Sequence, residues 1–434
     1  MIVMKVYVNP PRGEWPSLFR RAEQDNGAIT ERVKEIVARV EREGDATLFD
    51  LAERIDGVRL SSLAVSDAEF AEAEKRVGDG VKAAVEVAVN NISAFHRAQM
   101  PREVRVETMR GVVCVQRPVP LRSVGIYVPG GTAPLFSTVL MLALPASIAG
   151  CAEITMCTPC DREGRVAAEV LYAARRCGVT RVFKTGGAQA VAAMAYGTES
   201  IPKTDKIFGP GNRYVTIAKQ IVSGRCVSID MPAGPSEVMV LADDSSRAEF
   251  IAADLLSQAE HGRDSQAVAV CDSEELAAAV SAEVERQAAR LARGEFVGES
   301  LANSRIVVLP SRADMIDFAN GYAAEHLIIS LRDAWGAADA ITAAGSVFVG
   351  DYSPESAGDY ASGTNHTLPT SGWARSCSGV NIDSFMRKMT LQEITREGLA
   401  SLAPAIVAMA EAEGLQAHAE AVRIRMSKQQ EYEK

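Results

Sequence analysis

A chain of 434 residues is too long for one ordinary hydrophobic core, so we expect two lobes with small additions. Its 47% apolar and 24% charged residues are typical of a globular protein. The net charge of −10, without a basic stripe interleaved with aromatic residues, argues against nucleic acid as a partner.

Targeting signals and cysteines indicate where the protein works. The apolar run 138–148 is short and contains Pro145, so we expect no membrane partner. The N-terminus lacks a long apolar segment with a cleavage site, which predicts a cytoplasmic protein. Eight cysteines, mostly in apolar runs, fit buried thiols in a reducing compartment. Cys157 and Cys160 have redox spacing, but without a second pair we favour a structural role.

The first 120 residues are predicted to be mainly helical. Residues 1–25 form an arm, and helical patterns follow near 28–56 and 67–98. We expect the segment 26–120 to pack on the second lobe. His96, near the end of the second helical pattern, is interpreted as a surface or capping residue.

From about residue 112, apolar strands alternate with helical runs, which is typical of βαβ units around a parallel sheet. The predicted fold class is α/β. It has two doubly wound, incomplete Rossmann-like lobes with parallel sheets, an N-terminal helical arm and a small C-terminal helical domain. We assign the first lobe to 121–236, the second to 237–380 and the C-terminal domain to 381–434. Gly414 is predicted to separate the last two helices.

Three glycine loops, at 129–131, 186–189 and 209–212, lie in the first lobe where strands end and helices begin. The dinucleotide motif G-x-G-x-x-G is missing. Ligands of doubly wound folds bind at the carboxyl ends of strands, where helix N-termini offer free N–H groups to anions. The loops therefore indicate a nucleotide site, with ordinary turns as the alternative.

Polar residues with catalytic potential concentrate in the second lobe. Gln258 and His261 are three apart at a helix end and share one face. With Asp359 and His418 they offer nitrogen and oxygen donors without thiolate, a set that suits zinc, although a hydrogen-bonded helix face is the alternative.

Two further features of the second half are ambiguous when each is taken alone. Glu325 and His326 are adjacent groups that can move protons near neutral pH, or else a helix end with a capping histidine. Ser236, in a proline- and glycine-rich turn, either binds a ligand or caps the turn.

Taken together, these segments resemble the histidinol dehydrogenase family over about residues 25–428. Long motifs in a fixed order are far more specific than the glycine loops alone. The motifs are Tyr127–Gly131, Phe208–Asn212, Asp230–Glu237, Ser257–Gly262, Ala324–Leu327, Gly363–Thr370 and Glu411–Leu415.

The resemblance implies a zinc-dependent oxidation of L-histidinol through L-histidinal to L-histidine, with two NAD and one zinc per subunit. It implies zinc ligands at Gln258, His261, Asp359 and His418. It gives acid–base roles to Glu325 and His326. Substrate contacts would be Ser236, Gln258, His261, His326, Asp359, His366, Glu413 and His418.

The resemblance also implies an NAD site in the first lobe, lined by Tyr127, Gln189 and Asn212, and a zinc and substrate site in the second. Family members form intertwined homodimers in which the C-terminal piece completes the neighbour's site. Glu413 and His418 would then act across the dimer.

Three alternative functions are weighed against this one. A relative that oxidises another small alcohol, such as a sulfonated diol, is disfavoured by Glu413, because a carboxylate attracts an ammonium and repels a sulfonate. A zinc hydrolase with Glu325 as base would not need the glycine loops. A two-lobed binding protein would usually carry a secretion signal.

Overall fold

The computed structural model describes residues 4–21, 27–130, 134–232, 234–291 and 294–427. Gly131 and Ala233, which belong to two of the motifs above, and part of the N-terminal arm lie outside these ranges. None of the described helices combines the length and hydrophobicity needed to cross a bilayer.

The strands of the described residues fall into three sheets. They are β1 (Lys5–Val8), β2 (Val104–Met109), β3 (Val112–Pro120), β4 (Ser123–Tyr127), β5 (Glu153–Thr158), β6 (Arg181–Lys184), β7 (Lys206–Phe208), β8 (Ser228–Ile229), β9 (Glu237–Ala242), β10 (Gln266–Cys271), β11 (Arg305–Val308), β12 (His326–Ser330), β13 (Ser346–Val349) and β14 (Met386–Ile394).

The α-helices of the described residues mostly connect or cover these strands. They are α1 (Trp15–Leu18), α2 (Gly27–Glu43), α3 (Asp45–Leu51), α4 (Asp67–Arg76), α5 (Asp79–Ala98), α6 (Phe136–Ala149), α7 (Ala168–Arg176), α8 (Gly187–Tyr196), α9 (Arg213–Ser223), α10 (Ala248–Ala259), α11 (Glu274–Ala288), α12 (Gly294–Ala302), α13 (Arg312–Tyr322), α14 (Ala334–Ala338), α15 (Glu355–Tyr360), α16 (Arg396–Ala412) and α17 (Gln416–Ser427).

Two parallel sheets confirm the predicted α/β class. The first has the strand order β6-β5-β4-β7-β8 and the second the order β1-β11-β10-β9-β12-β13. The order reverses between β4 and β7 in one sheet and between β9 and β12 in the other. Such reversals open the crevices in which doubly wound folds bind ligands. The N-terminal arm supplies β1, which pairs with β11 at the edge of the second sheet.

Helices on both faces bury the central strand β9. Val238 and Val240 face the core shared with α10, α11 and α12, whereas Met239 and Leu241 face α13 and Trp15 of the arm. Successive side chains of a strand point to opposite faces, so both sets must be apolar. The sequence of β9 after Glu237 is therefore one continuous apolar run.

The expectation that segment 26–120 packs on the second lobe is wrong for most of its helices. Apolar residues of α2 and α3, such as Val33 and Leu48, share a core with α8 and α9 of the first lobe. Asn91 of α5 does reach the backbone of Ala361 in the second lobe. The apolar stripes of these helices were recognisable, but a stripe does not identify the surface that covers it.

Residues 100–120 and 386–427 form a second compact unit that is not purely helical. Its antiparallel sheet has the order β14-β3-β2, with Met386 opposite Pro120. The predicted pair of helices is present as α16 and α17, and Gly414 between them has a φ of +74°. The strands escaped prediction because β2 is exposed along its whole length and carries no buried face.

Replacing Leu48 tests the packing of the N-terminal helices on the first lobe. Leu48 is 1% exposed, so we expect Leu48→Ala to lower the free energy of unfolding by about 2–5 kcal/mol through lost burial and a cavity. Val87→Ala, at a position that is 55% exposed, should change it by less than about 0.5 kcal/mol. Denaturant titration measures both, and equal midpoints would contradict the packing.

Candidate active site

The predicted acid–base pair lies at the amino end of the second sheet. Glu237 begins β9 and His326 begins the neighbouring strand β12, with Glu325 just before it. Parallel pairing aligns His326 with Val238. The register therefore brings these polar residues together at the reversal of strand order.

The backbone of Glu237 holds both catalytic candidates. Its N–H donates to Glu325 Oε2 at 2.8 Å, and its carbonyl accepts from His326 Nδ1 at 3.1 Å. Because a carbonyl only accepts, Nδ1 of His326 carries the hydrogen of the neutral ring and Nε2 is left as the acceptor. The geometry thus selects one tautomer of His326.

The side chain of Glu237 is clamped by the N-terminal arm. Arg21 donates to both carboxylate oxygens, at 2.9 and 2.8 Å, and its guanidinium lies 3.7 Å from the ring centre of Tyr322. The backbone N–H of Ser371 adds a bond of 2.8 Å to Glu237. A two-pronged Arg–carboxylate pair of this kind fixes orientation as well as charge.

Two helices bring the predicted metal ligands to the same place. Asp359 lies on α15, and His261 follows the end of α10. His261 Nε2 is 3.9 Å from Asp359 Oδ2, and His326 Nε2 is 3.6 Å from Asp359 Oδ1. Ligand atoms of His261, Glu355 and Asp359 all lie within 4.8 Å of one another.

Gln258 is fully buried in the same cluster, and its hydrogen bonds define how its amide is turned. One end of the amide lies 3.2 Å from the carbonyl of Glu237 and 3.1 Å from Glu355 Oε1, and we assign this end as the nitrogen. The carbonyl can only accept, so the nitrogen must face it. The amide oxygen of Gln258 is thereby turned away from these two acceptors.

The predicted substrate residues His366 and Ser236 flank this cluster. His366 Nδ1 donates to the backbone carbonyl of Asp359 at 2.9 Å, and Nε2 lies 3.3 Å from the hydroxyl of Thr138 on α6. This contact joins the second lobe to the first. Half-buried Ser236 directly precedes Glu237 and accepts from Gln266 N through its carbonyl.

Burial and crowded carboxyl groups shift the pKa values of the cluster. Burial raises the pKa of Glu325 to about 7 and that of Glu355 to about 8. Burial alone would lower the pKa of His326, but the carboxylates of Glu355, Glu325 and Asp359 outweigh it and raise that pKa to about 10. Burial likewise opposes ionisation of Asp359, yet the neighbouring histidines, His326 first, hold its pKa below the usual range.

The cluster has the character of a cation site. Among the described residues, the buried atoms His326 Nε2 and Glu355 Oε2 have no hydrogen-bond partner. Several carboxyl groups lie together, and Arg21 neutralises only Glu237. Nitrogen and oxygen donors without thiolate fit zinc or a similar divalent ion, which would supply the missing positive charge.

The three glycine loops of the first lobe meet at the carboxyl ends of its strands. The phenol of Tyr127, at the end of β4, accepts from the N–H of Gly187 at 3.1 Å, two residues before Gln189. A Cβ on Gly209 would lie only 2.1 Å from the carbonyl of Tyr127, so only glycine allows this approach. Asn212 caps α9 through Val215 N at 3.2 Å.

A buried ion pair supports the loop 209–212. Lys219 Nζ lies 2.5 Å from Asp230 Oδ1 and donates to the carbonyl of Gly209 at 2.8 Å. Asp230 in turn accepts from the N–H of Gly209 at 2.8 Å. Both ends of this glycine are therefore held by charged groups.

Cys157, near the end of β5, and Cys160, just after it, are free thiols that flank Pro159 between two of these loops. A Cβ on Gly130 would lie 2.7 Å from Pro159, and one on Gly186 would lie 2.9 Å from it. Burial raises the pKa of both thiols and so opposes the reactive thiolate. This environment supports the structural interpretation of the pair.

The remaining predicted residues, Glu413 and His418, belong to the second unit. Glu413 ends α16 and His418 lies on α17, and both side chains are exposed. Their ligand roles stay predictions.

Sequence reasoning missed four residues around the cluster: Arg21, Thr138, Glu237 and Glu355. Only Glu355 had a local signal, because it lies one helical turn before Asp359 and shares its face. The others contribute through contacts between residues that are distant along the chain.

The fold and the site define a two-lobed α/β enzyme with a buried acid–histidine centre and a separate set of glycine loops. The histidinol dehydrogenase family model matches residues 19–426. The chain belongs to this family and is an oxidoreductase of the kind that acts on an alcohol and an aldehyde.

Individual relatives agree with the family match. A histidinol dehydrogenase of Bacteroides fragilis (strain YCH46) is 53% identical over 98% of this chain and 99% of its own length. That of Escherichia coli (strain K12) is 50% identical, with 94% of each chain covered. A crystal structure of histidinol dehydrogenase from Elizabethkingia anophelis matches with a TM-score of 0.96 at 46% identity, covering 98% of each chain.

Proposed function

We propose that the protein oxidises L-histidinol to L-histidine through L-histidinal, using zinc and NAD, as the last steps of histidine biosynthesis. The convergence of Gln258, His261 and Asp359 beside Glu325 and His326 supports this proposal most directly. The eight free cysteines are consistent with work in the reducing cytoplasm.

The zinc ion, one per subunit, would be held by Gln258, His261 and Asp359 together with His418 of the partner subunit. When bound, it would supply a Lewis acid that holds the imidazole and amine of the substrate. Exposure of His418 and Glu413 in the second unit is consistent with ligands offered to a neighbouring subunit.

Ser236, His366 and Glu413 would bind the substrate together with the zinc ligands. The carboxylate of Glu413 favours the ammonium of histidinol over the sulfonate of a sulfonated diol. A zinc hydrolase would leave the loops at Tyr127, Gln189 and Asn212 without a use. The oxidation of an alcohol uses both halves of the molecule.

His326 would accept the alcohol proton at Nε2, because Glu237 occupies Nδ1. It can do so only when the surrounding negative charge is partly neutralised, as a divalent cation on Asp359 would do. Glu325, with a pKa raised to about 7, would take a proton from the water that adds to the aldehyde.

NAD would supply the acceptor for two electrons in each oxidation. We assign it to the first lobe, 121–236, with Tyr127, Gln189 and Asn212 lining the site, and assign zinc and substrate to the second lobe, 237–380. The meeting of the glycine loops at the carboxyl ends of β4 and β7 supports this division.

A direct assay tests the overall proposal. Purified protein mixed with L-histidinol and NAD should form two NADH per histidinol, measured by absorbance, with L-histidine as the product. Removal of metal by a chelator should abolish the activity, and added zinc should restore it. Full activity in protein shown to be metal-free would contradict the role of zinc.

Substitution of Glu325 separates the two oxidations. We expect Glu325→Gln to slow the conversion of L-histidinal to histidine by about 10²–10⁴-fold, because the water loses its base. The oxidation of histidinol to the aldehyde, followed in single turnovers, should be far less impaired. His326→Gln is the matched comparison and should slow the first oxidation. Equal losses in both steps of Glu325→Gln would contradict its role.

Mixed dimers test whether the site is shared between subunits. His261→Asn and His418→Asn should each lose zinc and activity as homodimers. Co-expression with different tags should yield heterodimers with one intact site, because one chain supplies His261 and the other His418. Purified heterodimers should regain about half of the wild-type activity and zinc. Heterodimers without activity would place His418 in the site of its own chain.

A further inference from the structure

We propose that Glu355 is a positioning residue that turns the amide of Gln258 so that its oxygen, and not its nitrogen, faces the metal. The inference rests on the proposed zinc site. It concerns a residue outside the ligand set, which acts on the metal only through Gln258.

An amide ligand has two unlike ends. Only the carbonyl oxygen of Gln258 can bind a cation, whereas the NH₂ group would present hydrogens to it. A half-turn of the amide exchanges the two ends with little change in shape. Zinc affinity would therefore depend on what keeps the NH₂ group turned away from the ion.

Two acceptors hold it there. The amide nitrogen lies 3.2 Å from the carbonyl of Glu237 and 3.1 Å from Glu355 Oε1. The Glu237 carbonyl also accepts from His326 Nδ1 at 3.1 Å, so it is shared between two donors. Glu355 Oε1 is the nearer of the two acceptors, and its hydrogen bond becomes about twice as strong when a cation keeps the carboxyl group ionised, which makes Glu355 the stronger holder.

The placement of Glu355 fits this task. It begins α15 directly after Pro354 and is 1% exposed, so its side chain has little freedom to move. Asp359 lies one turn later on the same face and within the cluster. One short helix thus carries both a proposed zinc ligand and the group that orients another.

Burial makes an incidental carboxyl group at this position costly. Glu355 Oε2 has no hydrogen-bond partner among the described residues, and Oε1 lies 3.1 Å from the amide of Gln258 and 3.7 Å from His326 Nδ1. Burial of a carboxyl group with few hydrogen bonds costs stability, so a fold keeps such a group for a function. Orientation of a metal ligand is such a function, and loss of the orienting group typically lowers metal affinity by about 10–100-fold.

Exchange of the two groups gives a sharp test in the full-length dimer. Glu355→Gln should weaken zinc binding by about 10–100-fold, measured by competition with a chelator and by bound zinc per subunit. Gln258→Glu should also weaken it, because two carboxylates then face each other. The double variant restores one amide and one carboxylate, and we expect it to bind zinc more tightly than either single variant.

Asp254→Asn is the matched control. Asp254 lies one turn before Gln258 on α10 and is a half-buried carboxyl group, so Asp254→Asn makes the same kind of acid-to-amide exchange close to the site without removing an acceptor of the Gln258 amide. We expect it to keep wild-type zinc affinity. Circular dichroism of the metal-free variants reports whether each one folds.

The proposal is overturned if Glu355→Gln binds zinc as the wild type does, or if the control loses as much affinity as Glu355→Gln. It is also overturned if the folded double variant binds no better than the single variants, as it would if Glu355 were itself a ligand. Wild-type protein that binds no zinc would instead contradict the proposed function, so the two failures are distinguishable.

Discussion

The peptide groups of Glu237 are the constraint on which the candidate site depends. One backbone N–H holds Glu325, and one carbonyl is shared by His326 and Gln258. Parallel pairing of β9 and β12 sets these distances, and Arg21 clamps the side chain of Glu237 from the arm. A strand backbone is rigid because its neighbours pair with it on both sides. Glu325, His326 and Gln258 therefore all bond to the backbone of a rigid strand, and not to flexible loops.

The titratable groups buried in this cluster lower the stability of the fold, and we attribute their presence to function. Carboxyl groups of Glu325 and Glu355 are buried with raised pKa values, and the ring of His326 is buried among them. In a fold selected for stability alone, apolar side chains would fill the same space at lower free energy. Perturbed acids and a histidine at a reversal of strand order are the arrangement expected of a catalytic centre.

The two lobes present opposite ends of their sheets. Glycine loops follow the carboxyl ends of β4 and β7, whereas the acid–histidine cluster precedes the amino ends of β9 and β12. The rule that ligands bind at carboxyl ends therefore applies to the first lobe only. The hydrogen bond between His366 and Thr138 joins the cluster to α6, the helix that follows β4. Hydrophobic cores on both faces of each sheet leave these ends as the places where polar groups can gather.

The sequence by itself determined the features that are local. Apolar alternation predicted two parallel-sheet lobes, and ordered motifs indicated the family. Only the tertiary structure decided that α2 and α3 cover the first lobe, that exposed strands pair in the second unit, and that Glu237 and Glu355 lie against Gln258. Periodicity reports which face of an element is apolar, because neighbours along a helix or strand are fixed by its geometry. It carries no information about which element, distant along the chain, supplies the partner.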